Sequence, residues 1–228
     1  MKTAMIFAAG RGERLKPITD LRPKALCTVN HIPLIEYHVN HLANAGFERI
    51  IINHAYLGGQ IRQHLGNGSR WGVDILYSPE PPGALETGGG ILNALPWLGQ
   101  DPFITVNADI FTDYDFSLIK NLKTNVAHLV LVPTPRYLKK SDFGLSKNGL
   151  LDNSNRTHTF SGIACIHPRL FIDLKPGRYS ITPLIRSLTT DKKITGEIYL
   201  GEWCDVGTPE RLASLNTNKR NLLNKPLR

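Results

Sequence analysis

The residue types best placed to do chemistry lie near the N-terminus. An apolar run at residues 3–9 ends in Gly10-Arg11-Gly12-Glu13-Arg14, and Lys24 follows with nine residues between it and Arg14, a G-x-G-x-R-x9-K pattern. Glycines remove the Cβ atoms that keep a backbone away from a ligand. Successive N–H groups in such a turn form an anion-binding concavity. Arg14 offers a planar fork for phosphate oxygens and Lys24 a compact point charge. Together they suit a nucleoside triphosphate, although the loop alone also fits a solvated strand-to-loop turn. The P-loop G-x-x-x-x-G-K-[ST] is absent. The dinucleotide fingerprint needs a third glycine where this chain has Leu15, which argues against an NAD-dependent oxidoreductase.

Three later stretches carry polar groups at positions where ligands bind in open α/β sheets, beyond the strands' carboxyl ends. Leu85-Glu86-Thr87-Gly88-Gly89-Gly90 enters a helix. Its glycines would let a flat base lie against backbone, or merely make a flexible helix entry, and Pro79 and Glu80 just before it would shape the pocket. Val106-Asn107-Ala108-Asp109 ends a strand. A carboxylate there can hold Mg²⁺, which takes one or two carboxylates with phosphate oxygens, and Asn107 shares its face of the strand. Asp113 and Asp115 read as turn and cap residues. In Trp203-Cys204-Asp205-Val206-Gly207-Thr208-Pro209, Asp205 follows a short strand and precedes a helix, where a capping carboxylate is an equal reading.

The segment Phe7-Ala8-Ala9-Gly10-Arg11-Gly12-Glu13-Arg14-Leu15-Lys16-Pro17 with Arg22-Pro23-Lys24 resembles the signature of sugar-1-phosphate nucleotidylyltransferases, and the likeness runs along nearly the whole chain. Family members often carry Thr where this chain has Glu13, a departure that leans toward the small uridylyltransferases acting on N-acetylmuramic acid 1-phosphate in cell-wall recycling. The resemblance implies a nucleotide site at Ala8, Ala9, Gly10, Gly12, Glu13, Arg14, Lys24, Glu86, Thr87, Gly88 and Asn107. It implies Mg²⁺ on Asp109 and, through W-x-D-x-G-T, on Asp205. Arg14, Lys24 and Asp109 would be catalytic. Ser141-Asp142-Phe143-Gly144 and Phe160-Ser161-Gly162-Ile163 resemble sugar-embracing segments, with Asp142, Gly144 and Gly162 as contacts. Many relatives hold the sugar phosphate with a second lysine. No equivalent is evident here, and Arg136, Lys139 and Lys140 qualify only by proximity in the chain.

The elements that must position these residues alternate. Strands are expected at 3–9, 49–53, 73–77, 103–106 and 128–132, with helices around 34–43, 57–65, 88–98 and 118–122 between them. Alternation predicts a mainly parallel sheet with crossovers. Beyond residue 140 the pattern changes: Asn148-Gly149 signals a hairpin, strands are expected at 160–166, 194–200 and 202–205, and a helix at 181–188. Thr208-Pro209-Glu210 caps a final helix. The fold class is α/β, a three-layer Rossmann-like nucleotidyltransferase fold (GT-A-like) with a mixed, mainly parallel sheet and a small sugar-side lobe. One domain is expected over 1–228, with a nucleotide-binding half at 1–110, a sugar-binding half at 111–213 and a basic tail at 214–228.

The 228 residues suffice for one sizeable core, and 41% apolar with 20% charged residues is ordinary for a globular protein. Of the formal net charge of +8, four units sit on Lys219, Arg220, Lys225 and Arg228. The remainder forms no long basic run, so anionic small substrates are expected rather than nucleic acid. No stretch approaches 18 apolar residues, so no membrane partner is expected. Cys27, Cys165 and Cys204 are far apart and odd in number, as in a reduced cytoplasmic chain. The eight histidines show no zinc spacing, and His38 and His41, on one helix face, read as surface positions. No G-x-S-x-G elbow supports a serine hydrolase. The expected enzyme joins UTP and a sugar 1-phosphate, as a monomer or small homo-oligomer. The competing readings are a guanylyl- or thymidylyltransferase on mannose or glucose 1-phosphate, and a non-catalytic nucleotide-sugar-binding regulatory subunit.

Overall fold

The computed structural model of the chain describes residues 1–217. In chain order its strands are β1 (Thr3–Phe7), β2 (Thr28–Val29), β3 (Ile32–Pro33), β4 (Arg49–His54), β5 (Asp74–Pro79), β6 (Phe103–Asn107), β7 (Ile110–Thr112), β8 (Ala127–Pro133), β9 (Gly144–Leu145), β10 (Leu151–Asp152), β11 (His158–Ile166), β12 (Ile194–Ile198) and β13 (Trp203–Asp205). The helices are α1 (Ile18–Leu21), α2 (Leu34–Asn44), α3 (Gly58–Leu65), α4 (Glu86–Leu98), α5 (Ser117–Lys120), α6 (Thr182–Thr190) and α7 (Pro209–Thr217). Seven strands form one sheet in the order β12-β8-β11-β6-β1-β4-β5. Every neighbouring pair is parallel except those of β11, which runs against both β6 and β8. This is the mixed, mainly parallel sheet that the alternating pattern predicts.

The sheet is covered on both faces, which is why its strands read as continuous apolar runs. Successive side chains point to opposite faces. Ala4, Ile6, Ile50, Ile52, Ile104 and Val106 face Ile35, Val39, Leu42, Ile61 and Leu65 of α2 and α3. Met5, Ile51, Phe103, Leu129 and Leu131 face Ile91, Ala94 and Leu98 of α4 and Ile185 of α6. Ile50, Ile51 and Ile52 are all 0% exposed, so each contributes about 2 kcal/mol of burial regardless of face. The C-terminal half shares this sheet through β8, β11 and β12. Its own addition is the β9–β10 hairpin, where Gly149 takes a φ of 76° in the turn.

A third cluster joins the N-terminal loop to the C-terminal segment: Leu15, Cys27, Val29, Leu34 and Tyr37 pack with Phe111, Val206 and Leu212. It fixes Asp205's neighbourhood against the glycine loop. At the final helix, Arg211 N donates to Thr208 Oγ1 at 3.4 Å, as the capping residues predict. Ser214–Thr217 of the expected basic tail belong to α7, whereas Lys219, Arg220, Lys225 and Arg228 lie outside the described residues. The expectation for His38 is corrected. It is 1% exposed, and its Nε2 pairs with Ile110 O at 2.9 Å. Helix α2 turns His38 inward to the strand that follows Asp109, while His41 stays partly exposed.

Candidate active site

Strand order reverses at β1. The chain adds β4 and β5 on one side and returns to place β6 on the other. Ligands in open α/β sheets bind at such a switch point, beyond the strands' carboxyl ends. Phe7 pairs with Asn107 there, and Ala108 N donates to Phe7 O at 3.0 Å. The glycine loop and the Asn107–Asp109 turn thus leave the sheet side by side. β1 stops at Phe7, short of the expected Ala9, because Ala8 N donates to the Asn53 side chain at 2.8 Å.

A cleft of about 400 Å³ opens here, lined by Ala8, Ala9, Gly10, Arg11, Lys24, Asn53, Glu80, Glu86, Thr87, Asn107, Asp109 and Arg178 among others. Gly12 holds the loop's bend with φ 72°, and a Cβ there would lie 3.0 Å from Thr19 Cγ2 and 3.1 Å from Lys24 Cβ. Thr19 Oγ1 donates to Gly12 O at 2.9 Å, and the buried Leu15 anchors the far side. Arg11 stacks 3.6 Å from the Tyr56 ring centroid and donates to Thr19 O at 2.8 Å. Glu13 points away to Lys16 at 2.6 Å, and that contact holds its carboxyl below the ordinary range.

The opposite wall is tied to the loop by a buried relay. Asn53 accepts from Ala8 N and donates to Glu80 Oε1 at 2.7 Å, while Glu80 Oε2 accepts from Leu85 N at 2.7 Å. Each step replaces water at a buried group that would otherwise be unsatisfied. The glycine triplet serves packing. A Cβ at Gly90 would lie 2.7 Å from Glu80 Oε1, one at Gly89 2.1 Å from Gly177 O, and one at Gly88 2.5 Å from the Tyr179 ring. Gly88 N and Gly89 N both donate to Tyr179 O. Gly88 therefore sits under Tyr179 and does not line the cleft, while Glu86 and Thr87 do.

The segments carrying the two acids lie side by side. β13 pairs antiparallel with β7, putting Asp205 opposite Ile110, and Val206 N donates to Asp109 O at 2.7 Å. Asp109 Oδ2 is ion-paired with Lys24 Nζ. Asp205 Oδ1 accepts from Arg211 at 3.0 Å and from the Tyr137 hydroxyl. Two hard carboxylates on adjacent strand ends fit Mg²⁺, which needs only one or two from the protein. Arg14 lies outside the cleft lining, on the Asp205 side: a Cβ at Gly207 would be 3.0 Å from an Arg14 guanidinium nitrogen and 3.1 Å from Asp205 Oδ2. His38, below Ile110, is kept neutral by burial, which lowers its pKa to about 4.

A second pocket of about 250 Å³ adjoins the cleft, sharing Phe7, Thr87 and Asn107. Asp142, Phe160, Gly162, Ser180 and Thr182 line its polar part, and Ile91, Leu129, Ile166 and Ile185 its floor. Asp142 Oδ2 also accepts from Phe160 N at 3.0 Å. Gly162 takes φ 87° in a bulge of β11, and a Cβ there would lie 2.8 Å from Asn107 Nδ2. Trp203 Nε1 clips this bulge through Ser161 O at 2.8 Å. Gly144 does not line the pocket; its missing Cβ admits Asn155 O, which would be 2.0 Å away. Arg136, Lys139 and Lys140 line neither pocket. A larger recess, about 510 Å³, lies at the opposite, amino-terminal ends of the strands, but its Lys2–Glu48 and Arg49–Asp74 side chains pair with one another.

Sequence reasoning passed over Asn53, Arg178, Tyr137 and Arg211. Asn53 had a signal, since a polar residue closing an Ile-Ile-Ile strand beside β1 must face its carboxyl end. Arg178 sits 3.5 Å from Glu86 across 92 residues, and Tyr137 reaches Asp205 across 68. No local pattern announces such contacts.

The profile of the nucleotidyl transferase family matches residues 3–161. An N-acetylmuramate alpha-1-phosphate uridylyltransferase of Neisseria meningitidis is 44% identical over 218 residues, covering 92% of this chain and 94% of the relative. The chain belongs to the nucleotidyl transferase family. The resemblance of its loop to sugar-1-phosphate nucleotidylyltransferases holds over almost the whole length. A protein of the same name from Caulobacter vibrioides is 31% identical over 226 residues, covering 92% of this chain and 93% of that one. A UDP-glucose pyrophosphorylase solved with UDP-glucose superposes with a TM-score of 0.77 at 20% identity, covering 95% of this chain and 97% of that one. At that identity it speaks for the fold, the nucleotidyltransferase α/β architecture. Among the described residues, no helix is long and apolar enough to cross a membrane.

Proposed function

We propose that this nucleotidyltransferase moves the uridylyl group of UTP onto N-acetylmuramic acid 1-phosphate, with Mg²⁺, releasing pyrophosphate and a UDP-sugar for cell-wall recycling in the cytoplasm. The observation that carries the reading is the pairing of Lys24 with Asp109 in the loop-lined cleft, with the backbone of the Asp205 segment bonded alongside Asp109. The 44% identical relative of that name supports the substrate pair. The three unpaired thiols, Cys27, Cys165 and Cys204, suit a reducing compartment.

The attacking group is a phosphate oxygen, already anionic at neutral pH, so no general base is required. The protein's task is to hold two repelling anions in line and stabilise the charge that spreads between them. Ala9 and Gly10 present backbone N–H groups to the polyphosphate, whereas Ala8 N is spent on Asn53. Arg14 holds the terminal phosphates, and Lys24 neutralises charge beside the α-phosphate. Asp109 and Asp205 would hold Mg²⁺, which when bound supplies Lewis-acid charge at phosphate oxygens. Glu86, Thr87 and Asn107 border the nucleoside, and Asp142 accepts from a sugar hydroxyl or amide.

Pyrophosphate release across UTP, dTTP, GTP and CTP, each with N-acetylmuramic acid, mannose and glucose 1-phosphates, tests the reading. The highest kcat/KM is expected for UTP with N-acetylmuramic acid 1-phosphate. A preference for GTP with mannose 1-phosphate would replace it with guanylyl transfer. Nucleotide-sugar binding without turnover on any pair would mark a non-catalytic binding subunit.

A further inference from the structure

Asp205 is held asymmetrically. Both of its donors reach the same oxygen: Arg211 Nη1 donates to Oδ1 at 3.0 Å, and the Tyr137 hydroxyl donates to Oδ1 as well. Oδ2 receives neither and faces Gly207, where a Cβ would stand 3.1 Å from it, 3.0 Å from Arg14 Nη2 and 2.1 Å from Arg211 Nη2. Arg211 is itself fixed. Its side chain is 16% exposed, its guanidinium lies 4.6 Å from the Tyr137 ring centroid, and its Nε is buried without a hydrogen-bond partner. A buried donor left unsatisfied has an energetic cost, so the fork is held where it is by the pairing with Asp205 and the stack on Tyr137. Asp109 shows the same one-sided arrangement, with Lys24 on Oδ2.

We propose that Arg211 and Tyr137 are positioning residues that pin Oδ1 of Asp205 and leave Oδ2 as the oxygen that takes the divalent cation. A carboxylate has two equivalent oxygens and a broad terminal torsion. Tying one oxygen to two donors removes that freedom before the ion arrives. The guanidinium also offsets one negative charge where two carboxylates must stand close together. Hydrogen-bonded partners behind a metal ligand typically account for 10- to 100-fold in metal affinity. Tyr137 adds a second consequence: it belongs to the segment between β8 and β9 on the sugar side, so its bond ties that segment to the cation site. The proposal rests on Asp205 being a cation ligand.

The test reads ion binding rather than turnover. Free Mn²⁺ is measured by electron paramagnetic resonance in titrations of the full chain with a non-hydrolysable UTP analogue, with the analogue alone as baseline. Arg211→Ala should weaken protein-dependent Mn²⁺ binding by about 10-fold or more. Arg211→Lys, which keeps the charge but not the fork, and Tyr137→Phe should weaken it by less. Gly207→Ala, which drives a Cβ against the Arg211 tip, should weaken it in the same direction without removing any charge. A folded Arg211→Ala protein with wild-type Mn²⁺ affinity overturns the proposal. Should that variant not fold, wild-type affinity in both Arg211→Lys and Tyr137→Phe overturns it. Asp205→Asn separates the two readings. If that variant loses Mn²⁺ affinity while the Arg211 and Tyr137 variants keep it, only the positioning role fails. If it binds like wild type, Asp205 is not a ligand, and both fail.

Discussion

Gly162→Ala isolates the contact on which the join between the two pockets depends. Gly162 has φ 87°, in the left-handed region that costs an L-residue about 1–2 kcal/mol. Its new Cβ would stand 2.8, 3.0 and 3.1 Å from Asn107 Nδ2, Cγ and Cβ. Three such contacts force Asn107 off its rotamer or displace the bulge, and overpacking of this kind costs about 1–3 kcal/mol. The sum is about 2–5 kcal/mol, equivalent to roughly 4–20 °C in Tm for a chain of this size. The two parts can be separated, because the Asn107 side chain makes no hydrogen bond among the described residues. Asn107→Ala alone should therefore be nearly neutral for stability. In the double variant the contacts with Nδ2 and Cγ are gone while the one with Cβ and the backbone strain remain, so most of that about 1–3 kcal/mol of overpacking should return. Urea unfolding of the four proteins gives the cycle directly. A double variant as unstable as the sum of the singles would falsify the claim that Gly162 exists to admit Asn107.

Three further outcomes follow. Asn53→Ala leaves Ala8 N and Glu80 Oε1 buried without partners. At about 1–3 kcal/mol for each group, the urea midpoint should fall accordingly, and KM for the nucleotide should rise more than KM for the sugar phosphate. His38 supplies a pH dependence. Burial puts its folded pKa at about 4 against an ordinary 6.5, with His41 pushing it further down and Asp109 pulling it back. Between those values the unfolded chain binds more protons, so this contribution is fully present above pH 6.5 and is lost as pH falls through 4. It is worth about 3 kcal/mol, and unfolding curves of His38→Gln should be flatter than wild type across that window. Gly89→Ala would set a Cβ 2.1 Å from the backbone carbonyl of Gly177. The shift this imposes on the segment carrying Arg178 and Ser180 should raise KM for both substrates, measured in steady state.

The sheet was legible in the sequence because its strands are covered on both faces. A triplet such as Ile50-Ile51-Ile52 has no reading as a solvent-facing strand, and its neighbours differ only in where they stop. Those stops were less legible because tertiary bonds set them. β1 ends at Phe7 when Asn53 takes Ala8 N, and α4 begins at Glu86, two residues before the expected Gly88, where Glu80 holds Leu85 N. In the site, the loop, Lys24, Asp109 and Asp205 were singled out by residue type together with the family resemblance, and the structure pairs Lys24 with Asp109 and lays the Asp205 segment alongside it. The glycines misdirected. Gly88 and Gly144 are there to admit Tyr179 and Asn155, and a glycine needed for packing is spelled like one needed for a ligand. His38 read as exposed because helical spacing alone does not say how far a helix is covered. Here Ile110 O supplies the polar partner that allows it to be buried.

The central claim is that Asp109 and Asp205 act as one unit on one cation. Its most direct test is kcat/KM for UDP-sugar formation by Asp109→Asn, Asp205→Asn and the double variant. Each single change should lower it by about 100-fold or more, the scale of losing one charge-stabilising contact. Residues that act as a unit are non-additive, so the double variant should fall no more than a few-fold below the worse single. Losses that multiply, or wild-type turnover by either single variant, would contradict a shared ion.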